Sequence, residues 1–275
     1  MPDPDLKSLS MRASRGLARF VPTRLRLNLS RQPVLSFTFD DVPESAYSEG
    51  ARLLDDQGLK GTFYIAPGLC GLTEPQWRVI STDQVADLAR RGHEIGGHTF
   101  GHCAVQSLKP RDLLDEDDRC HSALKEICGD IALKSFAFPF GNAGIVSKCL
   151  LQTRYQTCRG IRVGINRGPV DLAMLSVQQL YDVRLSTKQI DAQLDSLMRH
   201  GGWQIYCTHD VTTKPTGIGC SPALLDYAIK AATSRGIACM TVAAAAAELS
   251  LVHRRFTSGL GIEQAQPGLK SPPAA

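Results

Sequence analysis

The sequence lacks any long apolar run. No segment of its 275 residues approaches the roughly 20 consecutive apolar residues that a transmembrane helix needs. The first apolar run, near Leu17 to Val21, is short and is interrupted by Arg19, unlike the continuous apolar segment of a secretory signal. We therefore expect a protein that does not span a membrane, carries no signal peptide and is located in the cytoplasm.

Closely paired cysteines are also absent. The nine cysteines are an odd number, are scattered along the chain and include no Cys-x-x-Cys pair. This pattern argues against a disulfide framework and against a zinc knuckle. Several cysteines lie in apolar segments, where a free thiol behaves as a small core residue. Reduced thiols agree with the expected cytoplasmic location.

The chain has no strong excess of charge. A net charge of +4 is too small to indicate a nucleic-acid partner. Basic residues are nevertheless concentrated in residues 1–31. This segment contains two acids, Asp3 and Asp5, and seven basic residues: Lys7, Arg12, Arg15, Arg19, Arg24, Arg26 and Arg31. We expect residues 1–31 to form a basic arm that extends into solvent. Peripheral contact of this arm with an anionic membrane surface is the alternative.

Beyond the arm, apolar β-like segments alternate with helical patterns, as they do in parallel βα units. The predicted strands lie at 34–39, 62–66, 93–98, 135–139, 155–158, 180–185, 203–208 and 237–242. Predicted helices lie at 45–57, from 82, at 110–128, 188–200, 222–235 and 243–251. Seven or eight strands in a chain of this length fit an α/β barrel better than an open sheet. We expect one barrel domain over residues 32–252 and a disordered tail over 253–275. The sequence predicts no particular oligomeric state.

Chemically reactive side chains follow several of these strands. In βα barrels, functional groups collect on the loops after the strands. Applied to this chain, the rule places in one site Asp40, Asp41, His98, His102, His209 and the segment Pro139–Asn142. Two adjacent carboxylates at the end of a buried strand are costly unless a cation balances their charge. The simpler alternative is that they cap the next helix.

His98 and His102, four residues apart, form with one carboxylate a common ligand set for a catalytic divalent ion. No glutamate follows His98, which excludes the His-Glu-x-x-His motif of metalloproteases. Either Asp40 or Asp41 completes the set, and the other is then placed to take a proton from water at the open position.

His209, at another strand end, can donate a proton to a leaving group. This layout predicts hydrolysis of an amide or an ester. For His98 and His102, one alternative is a pair of capping or surface histidines. An iron oxygenase with the same ligand types is another, which the helix-rich alternation disfavours.

These residues resemble the motifs of the polysaccharide deacetylases, carbohydrate esterase family four, over roughly Val34 to Val242. Thr38-Phe-Asp-Asp41 is similar to the family's first motif. That similarity implies that Asp40 is the catalytic base and that Asp41 binds metal. His98-Thr-Phe-Gly-His102 has the spacing of the second motif, whose histidines complete a metal site. The resemblance implies one divalent ion, usually Zn²⁺ and sometimes Co²⁺ or another ion.

Two further segments extend the resemblance. Phe136-Ala-Phe-Pro-Phe-Gly141 resembles the third motif, in which the backbone amide of Phe140 would help to bind the oxyanion. Ile205-Tyr-Cys-Thr-His209 matches the fifth motif, whose histidine is the general acid. The fold that the resemblance implies is a distorted (β/α)₇ barrel.

The sequence departs from the family pattern at several positions. Ala137 stands where the third motif commonly has an arginine that pairs with the base, a variant found in a subset of the family. We predict that Arg184 projects into this place from a neighbouring strand. The fourth motif has no clear counterpart, and Asp182 or Asp210 is expected to orient His209 instead. The alternative for each of these three residues is a purely structural role, in an ion pair or as a cap. Val42-Pro43 also replaces the usual glycine after the Asp pair.

The resemblance implies a metal-dependent hydrolase that removes N-acetyl groups from N-acetylated amino-sugar oligo- or polysaccharides. Three alternatives stay open: a deacylase of a lipid-linked sugar, which the basic arm would suit, an O-acetyl carbohydrate esterase, and a non-catalytic carbohydrate binder. Sugar rings could stack on six aromatic residues, which are otherwise core residues: Tyr47, Tyr64, Trp77, Phe100, Phe138 and Phe140.

Overall fold

The computed structural model describes residues 4–26 and 32–249, with side chains from Leu9 onward. The strands, in chain order, are β1 (Leu25–Arg26), β2 (Pro33–Asp40), β3 (Thr62–Ile65), β4 (Glu94–Gly97), β5 (Ser135–Ala137), β6 (Thr157–Val163), β7 (Val170–Asp171), β8 (Leu175–Gln179), β9 (Gly202–Thr208) and β10 (Ala238–Cys239). The helices are α1 (Pro4–Phe20), α2 (Arg52–Asp55), α3 (Thr82–Arg90), α4 (Pro110–Cys128), α5 (Ile145–Leu151), α6 (Thr187–His200) and α7 (Pro222–Ser234), and residues 242–249 form α8.

Seven parallel strands close into a barrel in the order β2-β3-β4-β5-β6-β8-β9, and β2 pairs with β9 to complete the ring. The short strand β10 adds to the first residues of β2. This architecture confirms the predicted α/β barrel and its seven-stranded form.

β2 lies between β3 and β9 and is buried along almost its whole length. Its apolar residues, such as Phe37 and Phe39, pack in the core. Its two hydroxyl residues are satisfied within the barrel, because Ser36 accepts a hydrogen bond from the indole of Trp203 and Thr38 donates one to the Tyr206 carbonyl. A strand held on both edges gives the residues at its end a fixed position.

The predicted element pattern needs correction in several places: α5, β1 and β7 were not predicted, and β6 extends beyond the predicted strand at 155–158. The predicted strand at 180–185 is wrong: the strand is β8, and the chain then turns, with the amides of Arg184 and Leu185 both bonded to the Tyr181 carbonyl. The sequence Leu175-Ser-Val177 alternates apolar and polar residues, as a strand does, and all three residues are buried in β8. The predicted helix at 45–57 begins with π-type turns at Ala46–Ala51 before α2.

Part of the basic N-terminal segment is packed on the barrel and does not extend into solvent. Helix α1 contacts α5, and Ala18 on α1 is fully buried. β1 pairs antiparallel with β7. The predicted tail at 253–275 lies outside the described residues.

All nine cysteines lie among the described residues and are free thiols, as the sequence predicted. Within the described residues, none of the helices combines the length and the apolar character that crossing a membrane requires.

Candidate active site

The site begins where β2 ends. Asp40 is the last residue of that strand, and Asp41 and Val42 follow with positive φ angles of 55° and 38°. Such angles are uncommon for residues with a Cβ and cost about 1 kcal/mol or more each. Among the described residues, every non-glycine residue with positive φ lies in a loop after β2, β4 or β5: Asp41, Val42, Thr99, His102 and Phe140. These loops converge on one cavity.

Asp41, His98 and His102 meet at one point. The carboxylate oxygen Oδ1 of Asp41 lies 3.3 Å from Nε2 of His98 and 3.0 Å from Nε2 of His102, and the three ligand atoms all lie within 4.8 Å of one another. His98 donates from Nδ1 to the Ala137 carbonyl at 2.7 Å. A carbonyl can only accept, so the Nε2 lone pair of a neutral His98 faces Asp41.

These three residues fit a divalent cation. Asp41 Oδ1 is shielded from solvent and accepts no hydrogen bond, an arrangement that is costly without a positive partner. Burial alone would raise the pKa of Asp41, but imidazoles of His102 and His98 that carry a proton on Nε2 lower it well below its ordinary value, so a positive charge at this point keeps Asp41 ionised. Two imidazoles and an ionised carboxylate are a usual three-residue set for a catalytic ion with an open position.

Asp40 pairs with a buried arginine that the sequence analysis missed. Arg159, on β6, donates from Nη2 to Asp40 Oδ1, and its guanidinium lies over the ring of Tyr64 at 4.5 Å. Burial lowers the pKa of Arg159, but the charge of Asp40 outweighs this and raises it, so Arg159 stays charged. The pair therefore fixes the position of the Asp40 carboxylate beside the candidate metal ligands.

Strand register explains why Arg159 reaches Asp40. Ala137 on β5 is paired with Arg159 on β6, and neighbouring residues on parallel strands project to the same side of the sheet. The guanidinium thus enters from the next strand at the level where Ala137 leaves space. An arginine inside the buried strand β6 was the available signal, but the predicted strand ended at residue 158.

The prediction that Arg184 occupies this place is wrong. Arg184 lies in the turn after β8, is exposed, and donates to the side chain of Gln179 at 2.8 Å. The turn directs it away from the barrel interior, which the predicted strand at 180–185 would not have done.

His209 follows β9, the strand paired with β2, and faces the same point. Its Nε2 lies 3.9 Å from Asp41 Oδ2, and its Nδ1 donates to the Ile218 carbonyl at 3.0 Å. The rings of Trp77 and Tyr181 both contact it, each with its centroid 6.0 Å from that of the imidazole. The imidazole is therefore held in one orientation with Nε2 toward the cavity.

The acids expected to orient His209 have other partners. Asp210 is buried and accepts hydrogen bonds from Thr216, and Asp182 accepts from the amide and hydroxyl of Ser221. The prediction that one of them holds His209 is wrong, because the backbone carbonyl of Ile218 performs that task.

Phe140 forms the rim next to the candidate metal ligands. Its ring lies 4.5 Å from that of His102, and its backbone adopts a φ of 58° inside the short turn Pro139–Gly141. The following Gly141 has a φ of 63°, and an added Cβ would lie 1.3 Å from the side chain of Ile161. A glycine is therefore required there, and this tight turn keeps the Phe140 backbone at the cavity.

These residues line one cavity with a volume of about 420 Å³. Its lining includes Asp40, Asp41, His98, His102, His209 and Arg159. Its walls include the aromatic rings of Trp77, Phe140 and Tyr181. Of the predicted sugar-stacking residues, Trp77 and Phe140 line it. Tyr181 was missed. The others have different surroundings: Tyr47 bonds Asp87, Phe100 packs under Arg119, Tyr64 lies beneath Arg159, and Phe138 is core.

Similarity to a known protein family covers the part of the chain that contains the first three motifs. Residues 28–153 match the family model described as polysaccharide deacetylase. A chitin deacetylase from Pestalotiopsis sp. is 31% identical over 98 residues, which covers 35% of this chain and 30% of that protein. The chain thus matches less than a third of that relative's length.

Solved structures share the fold over most of the chain. A chitin deacetylase from Colletotrichum lindemuthianum has a TM-score of 0.56 and 17% identity, over 80% of this chain and 90% of that one. A family 4 acetyl xylan esterase from Clostridium thermocellum has a TM-score of 0.55 and 19% identity, over 80% and 91%. A family-four pseudoenzyme from Bacillus anthracis has a TM-score of 0.54 and 15% identity, over 78% and 66%. At such identities the likeness establishes the barrel fold. Residues 28–153 are thus similar in sequence to the polysaccharide deacetylases, and the barrel as a whole has the fold of these structures.

Proposed function

We propose that this protein is a metal-dependent hydrolase that removes N-acetyl groups from N-acetylated amino-sugar oligo- or polysaccharides. One observation supports the proposal above all: two carboxylates and three imidazoles from three separate strand ends converge on one cavity. Binding a sugar requires neither a base nor an acid, whereas amide hydrolysis requires both. The free thiols agree with a reducing compartment such as the cytoplasm.

Asp41, His98 and His102 would hold the divalent ion, with Zn²⁺ or Co²⁺ as the first candidates. When bound, such an ion polarises a carbonyl and lowers the pKa of a nearby water molecule. The three side chains come from the loops after β2 and β4, which lie on either side of β3, so the ion would also tie these two loops together. His98, fixed by the Ala137 carbonyl, presents its Nε2 without rearrangement.

Asp40 is the general base in this proposal. It lies next to the ligand Asp41 in sequence, and Arg159 holds its carboxylate in place. Water attacking the acetyl carbonyl transfers its proton to Asp40, and the backbone amide of Phe140 donates to the oxygen that becomes negative. The C–N bond then breaks, His209 protonates the departing amine, and acetate is released. Atoms balance with one water consumed per acetyl group.

Acetate release from N-acetylglucosamine oligomers tests the proposal. We expect release by the purified chain, loss after chelation, and recovery when zinc or cobalt is added. Asp40→Asn and His209→Ala should slow release by about 10²–10⁴-fold, whereas the matched exposed controls Asp130→Asn and His200→Ala should retain it. Full activity in Asp40→Asn would refute the assigned base. Turnover of acetylated xylan with no release from N-acetylated oligomers would show that the site acts on O-acetyl esters instead.

A further inference from the structure

Helix α1 carries an apolar stripe on the side turned away from the barrel. The spacing of three and four residues places these side chains along one side of the helix: Leu9, Ala13, Leu17 and Phe20. They are exposed, with 61% of Leu9, 49% of Leu17 and 74% of Phe20 accessible to solvent. The opposite side makes the contact with the domain, where Ala18 is buried and Ser14 accepts a hydrogen bond from the Ile145 amide at 3.1 Å.

A buried ion pair holds this helix in position. Lys148 on α5 is fully buried and donates to the carbonyls of Ala18 and Val21 at 2.8 and 2.7 Å. Its ammonium pairs with Asp171 at 2.5 Å, and Asp171 also accepts from the amides of Thr23 and Arg24. The carbonyls at the end of α1 are therefore satisfied by the barrel. Phe20 stays exposed although the backbone around it is firmly anchored.

Arginines surround the apolar stripe. Arg12 and Arg19 are exposed on its flank. Arg19 also lines a surface cavity of about 270 Å³ with Arg162 and Arg167 from the barrel, and Phe20 forms part of the same wall. Among the described residues, Asp171 is the one acid in that cavity, and Lys148 already balances its charge. The surface is thus apolar and strongly positive at once.

We propose that this surface, formed by Leu9, Leu17, Phe20, Arg19, Arg162 and Arg167 and termed the basic docking surface, binds anionic phospholipid membranes. A helix with an apolar stripe flanked by arginines lies in the headgroup region with the stripe facing the acyl chains. Anionic headgroups complement the three arginines of the cavity. Pairing of this face with a second copy would place the two arginine clusters against each other, which like-charge repulsion opposes.

The docking surface is separate from the catalytic cavity. The two cavities share no lining residue among the described residues, and the neighbours Ile161 and Arg162 on β6 line one each because successive residues of a strand point to opposite faces. Changes at the docking surface therefore leave the reacting groups in place.

Vesicle flotation of the full chain tests the proposal. We expect binding to mixed phosphatidylcholine–phosphatidylglycerol vesicles, weak binding to phosphatidylcholine alone, and loss of binding in high salt. Leu17→Ser/Phe20→Ser should weaken binding at least about tenfold, because two large apolar side chains no longer enter the bilayer. Arg19→Gln/Arg162→Gln/Arg167→Gln should weaken it by about fivefold per arginine. The matched exposed controls are Met198→Ser on α6 and Arg111→Gln on α4, which should bind as the parent does.

Three outcomes would overturn the proposal: no binding to the anionic vesicles, equal binding by the parent and both sets of variants, or a dimer in solution that Leu17→Ser/Phe20→Ser converts to monomer. Acetate release from a soluble oligomer and the melting temperature should be the same in parent and variants. Failure of docking is thereby distinguished from failure of the proposed hydrolysis and from misfolding.

Discussion

Replacing Arg159 with methionine is the sharpest test of the site. The substitution keeps much of the side-chain volume and removes the charge that faces Asp40. Removing one partner of a buried ion pair costs about 3–5 kcal/mol, since the remaining charge is left unpaired. The Asp40 side chain retains 12% exposure, so some solvation remains and we expect the lower end, about 3 kcal/mol. For a chain of this size that corresponds to a fall of about 6–12 °C in melting temperature.

Activity should fall for a related reason. Arg159 holds the Asp40 carboxylate, and displacement of a reacting group by about 1 Å can reduce a rate about a hundredfold. We expect a decrease of that order in kcat for acetate release by Arg159→Met. Because Arg159 lies behind Asp40, we expect a smaller effect on KM. Steady-state kinetics on an N-acetylglucosamine oligomer, together with thermal unfolding, measures both effects.

Arg184→Met is the matched control. Its guanidinium is exposed and bonded to Gln179, so its loss should change stability by no more than about 0.5 kcal/mol and leave kcat unchanged. The loss of unfolding free energy in the double variant Arg159→Met/Asp40→Asn should be smaller than the sum of the losses in the two single variants. We expect a coupling of at least about 1 kcal/mol. Additive single effects, or loss of kcat in Arg184→Met with an active Arg159→Met, would refute the assignment.

Three further predictions concern the site and the core. Asp40→Asn and His209→Ala should lower kcat by about 10²–10⁴-fold while bound divalent ion, measured by elemental analysis, stays at the parent level. Zinc at 100 times its dissociation constant should raise the unfolding free energy by about 2.7 kcal/mol; denaturant titration should show this gain in the parent and not in His102→Ala. Burial lowers the pKa of His93 from 6.5 to about 4, so the unfolded chain takes up the proton first as the pH falls. Stability should therefore be fully present above pH 6.5 and decrease by up to about 3 kcal/mol toward pH 4, and urea titrations should show a shallower decrease in His93→Asn.

Short-range sequence features determined the positions of the reacting groups. Asp40 and Asp41 are adjacent, and His98 and His102 are four residues apart, so each pair needs one loop to present it. The rule that functional side chains follow the strands of a βα barrel then placed these pairs together, as the distances from Asp41 to both imidazoles bear out. The predicted strands around them were nearly correct because buried strands carry a continuous apolar signal.

Tertiary structure alone decided which groups support them. Arg159 is 119 residues from Asp40 in the sequence, and its place depends on the register of β5 with β6, which no local pattern encodes. The partner of His209 is a backbone carbonyl, that of Ile218, and every residue offers one, so composition carries no signal for it. The N-terminal helix is held by Lys148. From the sequence, a lysine is expected on the surface, but this one is buried in the folded barrel. Each of these contacts depends on distances between segments far apart in the chain, and packing of the whole barrel sets those distances.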